Sequence, residues 1–193
     1  EAVLARGDAD LVSMARPLLA DSEFMRKTIE GREDEINTCI ACNQACLDHT
    51  FTGQLTSCLV NPRACHETQL NYLPVAAAMR IAVVGAGPAG LAYATTAAQR
   101  GHQVTIYEAS DEIGGQFNLA KRVPGKEAFY ETIRYFKRMI EVNKIDLKLG
   151  TAADAQMLKD GGFDRIVIST GITPRVPSIA GIDHGSVVGY IDV

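Results

Sequence analysis

Cys39-Ile-Ala-Cys42-Asn-Gln-Ala-Cys46, with Cys58 twelve residues further on, puts four of the five cysteines of this chain inside twenty positions. Thiolates two and three residues apart can meet at one soft centre without a long loop to close. A fourth from downstream completes a tetrahedral sulfur set, which suits zinc or an iron–sulfur cluster. Coordination, not a packed face, then fixes the backbone. Accordingly, the stretch from Asn37 to Leu73 is rich in Cys, Asn, Thr and Pro, lacks sustained periodicity, and breaks at Asn61-Pro62 and Leu73-Pro74. Three cysteines crowd into eight residues and the fourth stands apart. Structural zinc more often uses two paired knuckles, so this spacing favours a [4Fe–4S] cube, with zinc and uncommitted thiols as the alternatives. Cys65 is read as a packing thiol outside the set. His49 and His66 are read as surface or supporting residues, not ligands.

Composition narrows the setting. The 193 residues are 47% apolar and 22% charged, the profile of a soluble globular chain of one or two domains. A net charge of −4 with no basic block gives neither nucleic acid nor an anionic membrane anything to bind, and no obligatory protein partner is inferred. Between Leu73 and Ala98 the only charge is Arg80, but the glycines and Pro88 there are phosphate-loop chemistry, not a membrane span. An odd cysteine count, close CxxC spacing and no export signal point to reduced thiols in a cytoplasmic protein. The sequence opens at Glu1 instead of Met and stops at Val193 without a polar tail. That is read as a piece of something larger.

Regular elements are expected on both sides of the cysteines. Asp10 to Met14 is β-prone, and a helix is expected from about Ser22, as N-cap, to Glu30, stopped by Gly31. Ile81 to Val84 is a short apolar strand of the kind buried in parallel sheets. An alanine-rich helix follows to about Arg100, and Gln103 to Tyr107 is a second strand. Lys126 to Val142 reads as an amphipathic helix with Phe129, Ile133, Phe136 and Ile140 on one face. Asp146 to Leu149, Arg165 to Ser169 and Ser186 to Ile191 are β-like. This order predicts an α/β domain with a doubly wound sheet.

Between the first strand and its helix lies Gly85-Ala-Gly87-Pro-Ala89-Gly90, and Glu108 closes the second strand 18 residues after Gly90. Gly85 permits a tight turn, Gly87 lets backbone approach a pyrophosphate, and Gly90 brings helix and strand together. The diphosphate then meets free amides at the helix start. Glu108 accepts from ribose hydroxyls and repels a 2′-phosphate, so FAD or NAD is expected in place of NADP. A ligand-free glycine turn is the competing reading. Gly114-Gly115-Gln116 after Glu108, and Ser169-Thr-Gly171 at a strand end, favour FAD, because flavoproteins with two dinucleotide sites carry both.

These motifs together resemble the bacterial 2,4-dienoyl-CoA reductase family, iron–sulfur flavoenzymes of the old yellow enzyme superfamily. The likeness runs through Gly7-Asp-Ala-Asp10-Leu-Val-Ser-Met-Ala15-Arg16-Pro, the cysteine set, Asn61-Pro-Arg-Ala-Cys65-His-Glu67, the glycine loop, Gly114-Gly-Gln116-Phe, Pro124-Gly-Lys126 and Ser169-Thr-Gly171. Trimethylamine dehydrogenases look similar but have one residue fewer between the second and third cysteines. The resemblance implies three parts: residues 1–35 as the end of a (β/α)8 FMN barrel, 36–78 as the [4Fe–4S] segment, and 79–193 as the start of a Rossmann-like FAD domain. It implies that Ala15 and Arg16 bind the FMN phosphate, and that Cys39, Cys42, Cys46 and Cys58 hold the cluster. Ala89, Glu108, Gln116 and Lys126, with Ala153, match FAD contacts beside Gly85, Gly87, Gly90 and Gly115. The implied activity is an electron relay from NADPH through FAD, cluster and FMN to an unsaturated acyl-CoA. The family's catalytic Tyr and His belong to the barrel and are not in this sequence, so the chain alone is expected to be inactive. Related enoate or enone reductases, amine dehydrogenases, or a non-catalytic FAD-binding piece with structural zinc are the alternatives.

Overall fold

A computed structural model describes residues 2–191. In chain order its helices are α1 (Ala2–Ala5), α2 (Arg16–Ala20), α3 (Phe24–Ile29), α4 (Leu47–Phe51), α5 (Pro88–Gln99), α6 (Phe117–Ala120), α7 (Phe129–Val142) and α8 (Ala155–Asp160). The strands are β1 (Arg80–Val84), β2 (Gln103–Tyr107), β3 (Asp146–Lys148) and β4 (Arg165–Ile168). Two compact units result: Glu1–Leu73 with Gly125–Val142, and Pro74–Pro124 with Asn143–Val193. Among the described residues no helix is long and apolar enough to cross a membrane.

The first unit has short helices, long irregular stretches and a small core. Its one long helix is α7, which buries Phe129, Ile133 and Ile140 as the apolar spacing predicts, but Met139 in place of Phe136, which is half-buried. The helix begins at Phe129, three residues later than the sequence suggests, because Lys126 to Ala128 form a turn closed by the Phe129 N–H on the Lys126 carbonyl. Arg134 of α7 donates to the carbonyl oxygens of Asp34 and Ile36, fixing the strand of chain that leads into the cysteines. Polar side chains do much of the remaining anchoring. Buried Asp21 accepts from the Asn37 amide at 2.8 Å, the Glu23 amide at 3.0 Å and Lys27 Nζ at 2.6 Å.

The second unit is a parallel sheet in the order β3-β2-β1-β4, the order in which the first strands of a Rossmann sheet lie. Ile81 faces Val104 and Val83 faces Ile106, while on the other side Ile81 to Val84 run beside Arg165 to Ile168. Ile81, Val83, Leu91 and Ile106 are fully buried, each stabilising the fold by about 1.5–3 kcal/mol. Helix α5 starts with Pro88, where a missing N–H costs nothing, and ends at Gly101 (φ +99°). The Gly101 and His102 amides bond back to the Ala98 and Ala97 carbonyls, closing a Schellman cap.

The structure corrects three local expectations. Asp10 to Met14 forms no strand, and Leu11 is 88% exposed there. Ser186 to Ile191 forms none either. A strand exists only by pairing, and among the described residues no chain runs beside either segment. Ser22 does not cap α3: Asp21, one residue earlier, accepts the Glu23 amide, and the helix starts at Phe24. Gly31, at φ +69°, does stop it.

Candidate functional site

Two cavities gather the residues singled out by the sequence, one in each unit. In the first unit Cys39, Cys42, Cys46 and Cys58 all line a single small cavity of about 10 Å³. Each of the four thiols is free and half-buried, whereas Cys65 lies outside the cavity and is exposed, which corrects its reading as a packing thiol. Local backbone explains the convergence. Ala41 (φ +54°) and Asn43 (φ +61°) take left-handed conformations on either side of Cys42, curling the loop. Cys46 sits at the N-cap position of α4 without a side-chain capping bond, and the Ser57 amide bonds the Ala45 carbonyl at 2.7 Å, bringing the downstream arm alongside. Asn37 clamps the two arms together. Its side chain donates to the Val60 carbonyl at 2.6 Å while its own amide bonds Asp21.

Burial disfavours the anionic form of Cys58, whose thiol is held above its ordinary range. Burial pushes the Cys58 thiol up, amides of Val60 and Asn61 pull it back down, and nearby Cys39 and Cys42 push it up again. The Ala41 amide reaches Cys39 Sγ at 3.5 Å. Among the described residues no group of three or more His, Cys, Asp or Glu side chains is arranged to hold a single metal ion. Arg16, at the start of α2, also lines this cavity, and its Nη1 donates to Asn43 Oδ1 at 2.7 Å. Ala15 precedes it as the N-cap of α2.

In the second unit the glycine loop opens on a cleft of about 450 Å³ lined by Gly85, Gly87, Ala89, Glu108, Gly115, Gln116 and the Ser169–Ile172 segment. Space at each glycine differs. A Cβ on Gly90 would lie 2.0 Å from the Gly85 carbonyl oxygen and 2.6 Å from Ser169 Oγ, so this residue welds helix to sheet. At Gly85 a Cβ would lie 2.4 Å from the Ser169 carbonyl oxygen. Gly87, the N-cap of α5, has nothing within 4 Å of a Cβ position: the cradle stays open where an anion would approach the helix start.

Glu108 is held at the cleft by its neighbours. Burial pushes its carboxyl up, but amides of Ser110 and Ala86 and the Ser110 hydroxyl outweigh that and hold it below the usual carboxylate range. The three bonds measure 2.9, 2.7 and 2.7 Å. Gln116 is fixed at both ends, donating to the Ile172 carbonyl at 3.0 Å and accepting from the Tyr190 hydroxyl at 3.0 Å. Ala153 is half-buried next to Asp154, the N-cap of α8, and does not line the cleft. Lys126 belongs to the first unit, where Nζ stands 5.0 Å from the Phe129 ring centre. Sequence reasoning missed Asn37, Asp21, Asn43 and Tyr190. Asn37 carries a signal in hindsight, being a polar residue directly before a ligand-type loop. Tyr190 carries none, since its partner is 74 positions away.

Comparison with known proteins agrees with this geometry. The pyridine nucleotide-disulphide oxidoreductase family matches residues 79–192. A metal reductase of Desulforamulus reducens is 41% identical over 189 residues, covering 94% of this chain and 28% of that protein. An NADH oxidase of Thermoanaerobacter brockii is 37% identical over 191 residues, covering 95% and 28%. The solved structure of a 2-naphthoyl-CoA reductase in complex with 2-naphthoyl-CoA superposes with a TM-score of 0.96 at 42% identity, over 99% of this chain and 29% of that one. The chain thus spans little more than a quarter of the length of these relatives.

Proposed function

The chain belongs to the pyridine nucleotide-disulphide oxidoreductase family through residues 79–192, and from that premise we propose that it is the relay portion of an NADPH-dependent flavoenzyme that reduces unsaturated acyl-CoA thioesters. The observation that carries this reading is the cavity ringed by four thiols in a chain whose other unit is a dinucleotide fold. In this reading Cys39, Cys42, Cys46 and Cys58 hold a [4Fe–4S] cluster, the glycine cleft holds FAD, and Ala15 and Arg16 belong to an FMN phosphate site. Residues 1–35, 36–78 and 79–193 then correspond to barrel end, cluster segment and FAD domain. When bound, FAD would accept electrons in pairs and the cluster would carry them singly to FMN.

The residues themselves do the holding. The four cysteines must lose their protons to bind iron, so loading weakens as pH falls. Three cysteines within eight residues and a fourth standing apart support a polynuclear group over zinc. Gly87 leaves room for a diphosphate at the free amides of α5, a helix of 12 residues whose dipole favours an anion there. Glu108, kept anionic and anchored, presents acceptor oxygens to ribose hydroxyls. The acyl-CoA class draws support from the 42% identical reductase solved with 2-naphthoyl-CoA. A 2,4-dienoyl-CoA is the substrate that the motif pattern favours within this class.

The test is iron, acid-labile sulfide, zinc and flavin content of anaerobically purified protein, with visible spectra before and after dithionite. About four irons and four sulfides with a bleachable band is the expected result. Stoichiometric zinc without that band removes the relay. NADPH oxidation with a 2,4-dienoyl-CoA and with an aromatic acyl-CoA, assayed on the full-length protein, then chooses the substrate.

A further inference from the structure

Asn37 is buried two residues before Cys39, with its backbone amide on Asp21 at 2.8 Å and its Nδ2 on the Val60 carbonyl at 2.6 Å. That carbonyl belongs to the peptide unit joining Val60 to Asn61. A trans peptide is a rigid plane whose C=O and N–H point opposite ways, so an anchored Val60 oxygen fixes the direction of the Asn61 N–H. The N–H lies on the Cys58 side: it bonds the Cys58 carbonyl at 3.2 Å and reaches the Cys58 sulfur, whose thiol it pulls down. Asn61 is pinned as well, its Nδ2 donating to the Leu19 carbonyl at 2.9 Å. We infer that Asn37 is a positioning residue for Cys58: by holding the Val60 carbonyl it keeps the Asn61 amide on the Cys58 sulfur and raises the reduction potential of the group bound by Cys39, Cys42, Cys46 and Cys58. The inference rests on the cluster reading above.

The sign follows from charge. Gaining one electron makes the site more negative by one unit, and an N–H aimed at a ligand sulfur places positive charge beside it. The donor therefore stabilises the reduced form, and hydrogen bonds to the sulfurs are among the terms that set such potentials. Bonds in a chain also strengthen one another, so the Asn37 donor on the Val60 oxygen makes the Asn61 N–H a better donor in turn. Without Asn37 the half-buried Val60 loses that partner, and its carbonyl is free to turn toward water, which swings the Asn61 N–H off the sulfur. Asp21 supports the same clamp from the other side, through the Asn37 backbone, and leaves the Nδ2 bond to Val60 alone. That difference separates tuning from mere support.

The experiment is an EPR-monitored redox titration, with dithionite as the electron donor, of anaerobically purified full-length wild type, Asn37→Ala, Asn37→Ser and Asp21→Asn, each with its iron content and urea midpoint. Asn37→Ala is expected to shift the oxidised–reduced equilibrium on the order of threefold toward the oxidised form, ~28 mV lower for one electron at ~59 mV per tenfold. Asn37→Ser, too short to reach the Val60 carbonyl, moves the potential the same way and decides if Asn37→Ala does not load. Asp21→Asn lowers the urea midpoint and the iron content. The potential of its loaded fraction stays at or above the wild-type value, because a negative charge is gone and the Nδ2 bond is kept. Unchanged potentials in the loaded Asn37 variants, or an equal fall in Asp21→Asn, overturn the inference. Loss of iron from both Asn37 variants overturns it too, since the residue then serves assembly alone. A wild type without iron and sulfide instead removes the cluster reading, and this inference falls with it.

Discussion

In the glycine cleft the walls are backbone, set by packing: Gly85 and Gly90 press against the Ser169 segment behind a core of Ile81, Val83, Leu91 and Ile106. In the thiol cavity the walls are side chains on irregular loops, set by single hydrogen bonds such as Asn37 to Val60 and by left-handed turns at Ala41 and Asn43. The first site exists because the sheet folds. The second lacks a comparable core behind it and leans on polar clamps and on whatever its sulfurs bind. Changes that alter packing should therefore dominate in one unit, and changes that alter ligation in the other.

The sharpest way to break this contrast lies within the cleft. Gly90→Ala drives a methyl into the Gly85 carbonyl, a backbone atom that cannot swing away. It is expected to destabilise the sheet unit by about 3 kcal/mol and to lose FAD through the loss of fold. Gly87→Ala meets nothing within 4 Å and has an ordinary φ of −74°, so the urea midpoint should hold. Yet the methyl fills the open cradle, and FAD affinity should drop at least about tenfold, ~1.4 kcal/mol. Urea unfolding by circular dichroism and flavin titration separate the two; matching effects from both variants would abolish the distinction between a packing glycine and a binding glycine.

In the other unit Cys58→Ser removes the lone fourth sulfur. Iron should fall from about four per chain to a small remainder, because three ligands in one loop leave a corner of the cluster open. FAD content and the unfolding midpoint of the sheet unit should stay as they were. Simultaneous loss of flavin would show that the cleft, too, depends on the cysteine segment.

Glu108 offers a smaller and pH-dependent probe. Its carboxyl is held below the usual range in the fold, so it contributes stability above its unfolded value of ~4.3 that is lost as pH falls through the lower folded value. Glu108→Gln should cost about 1.5 kcal/mol at pH 7, since charged acceptors of amide and hydroxyl donors are replaced by a neutral one. That deficit should shrink as pH drops below the unfolded value of ~4.3 and through the lower folded one. A deficit that is flat with pH, measured by urea unfolding, would show that shape rather than charge anchors Glu108 to the loop.

The same contrast governs what the sequence reveals. β1, the glycine loop, α5 and β2 are legible because apolar runs, a Pro start and a Gly stop act over neighbouring residues, and the resulting parallel sheet follows. The clustering of Cys39, Cys42, Cys46 and Cys58 is legible from spacing for the same reason. What holds those cysteines is not, because Asn37 meets Val60 across 23 residues and Asn61 meets Leu19 across 42. Asp10 to Met14 and Ser186 to Ile191 have β-prone composition, yet composition does not supply a neighbouring strand. Short helices such as α4 and α8 are set by local turns and by the Asp154 cap at 2.8 Å, below the length at which periodicity shows.

The smallest expected effect bears on whether the thiol segment carries strain apart from its ligands. Ala41 and Asn43 are left-handed beside Cys42, where bending the loop gathers sulfurs. Cys65 is left-handed too (φ +62°), but its side chain is exposed and outside the cavity. A residue with a Cβ costs roughly 1–2 kcal/mol in that conformation, and glycine returns part of the gain through a more flexible unfolded chain. Cys65→Gly should thus raise the stability of its unit by about 0.5–1 kcal/mol with iron and sulfide unchanged, while Cys65→Ala, which keeps the Cβ, should leave both alone. If Cys65→Gly lowers iron content instead, the strained cysteine is held in place by ligation, and the cavity extends beyond the four thiols that line it.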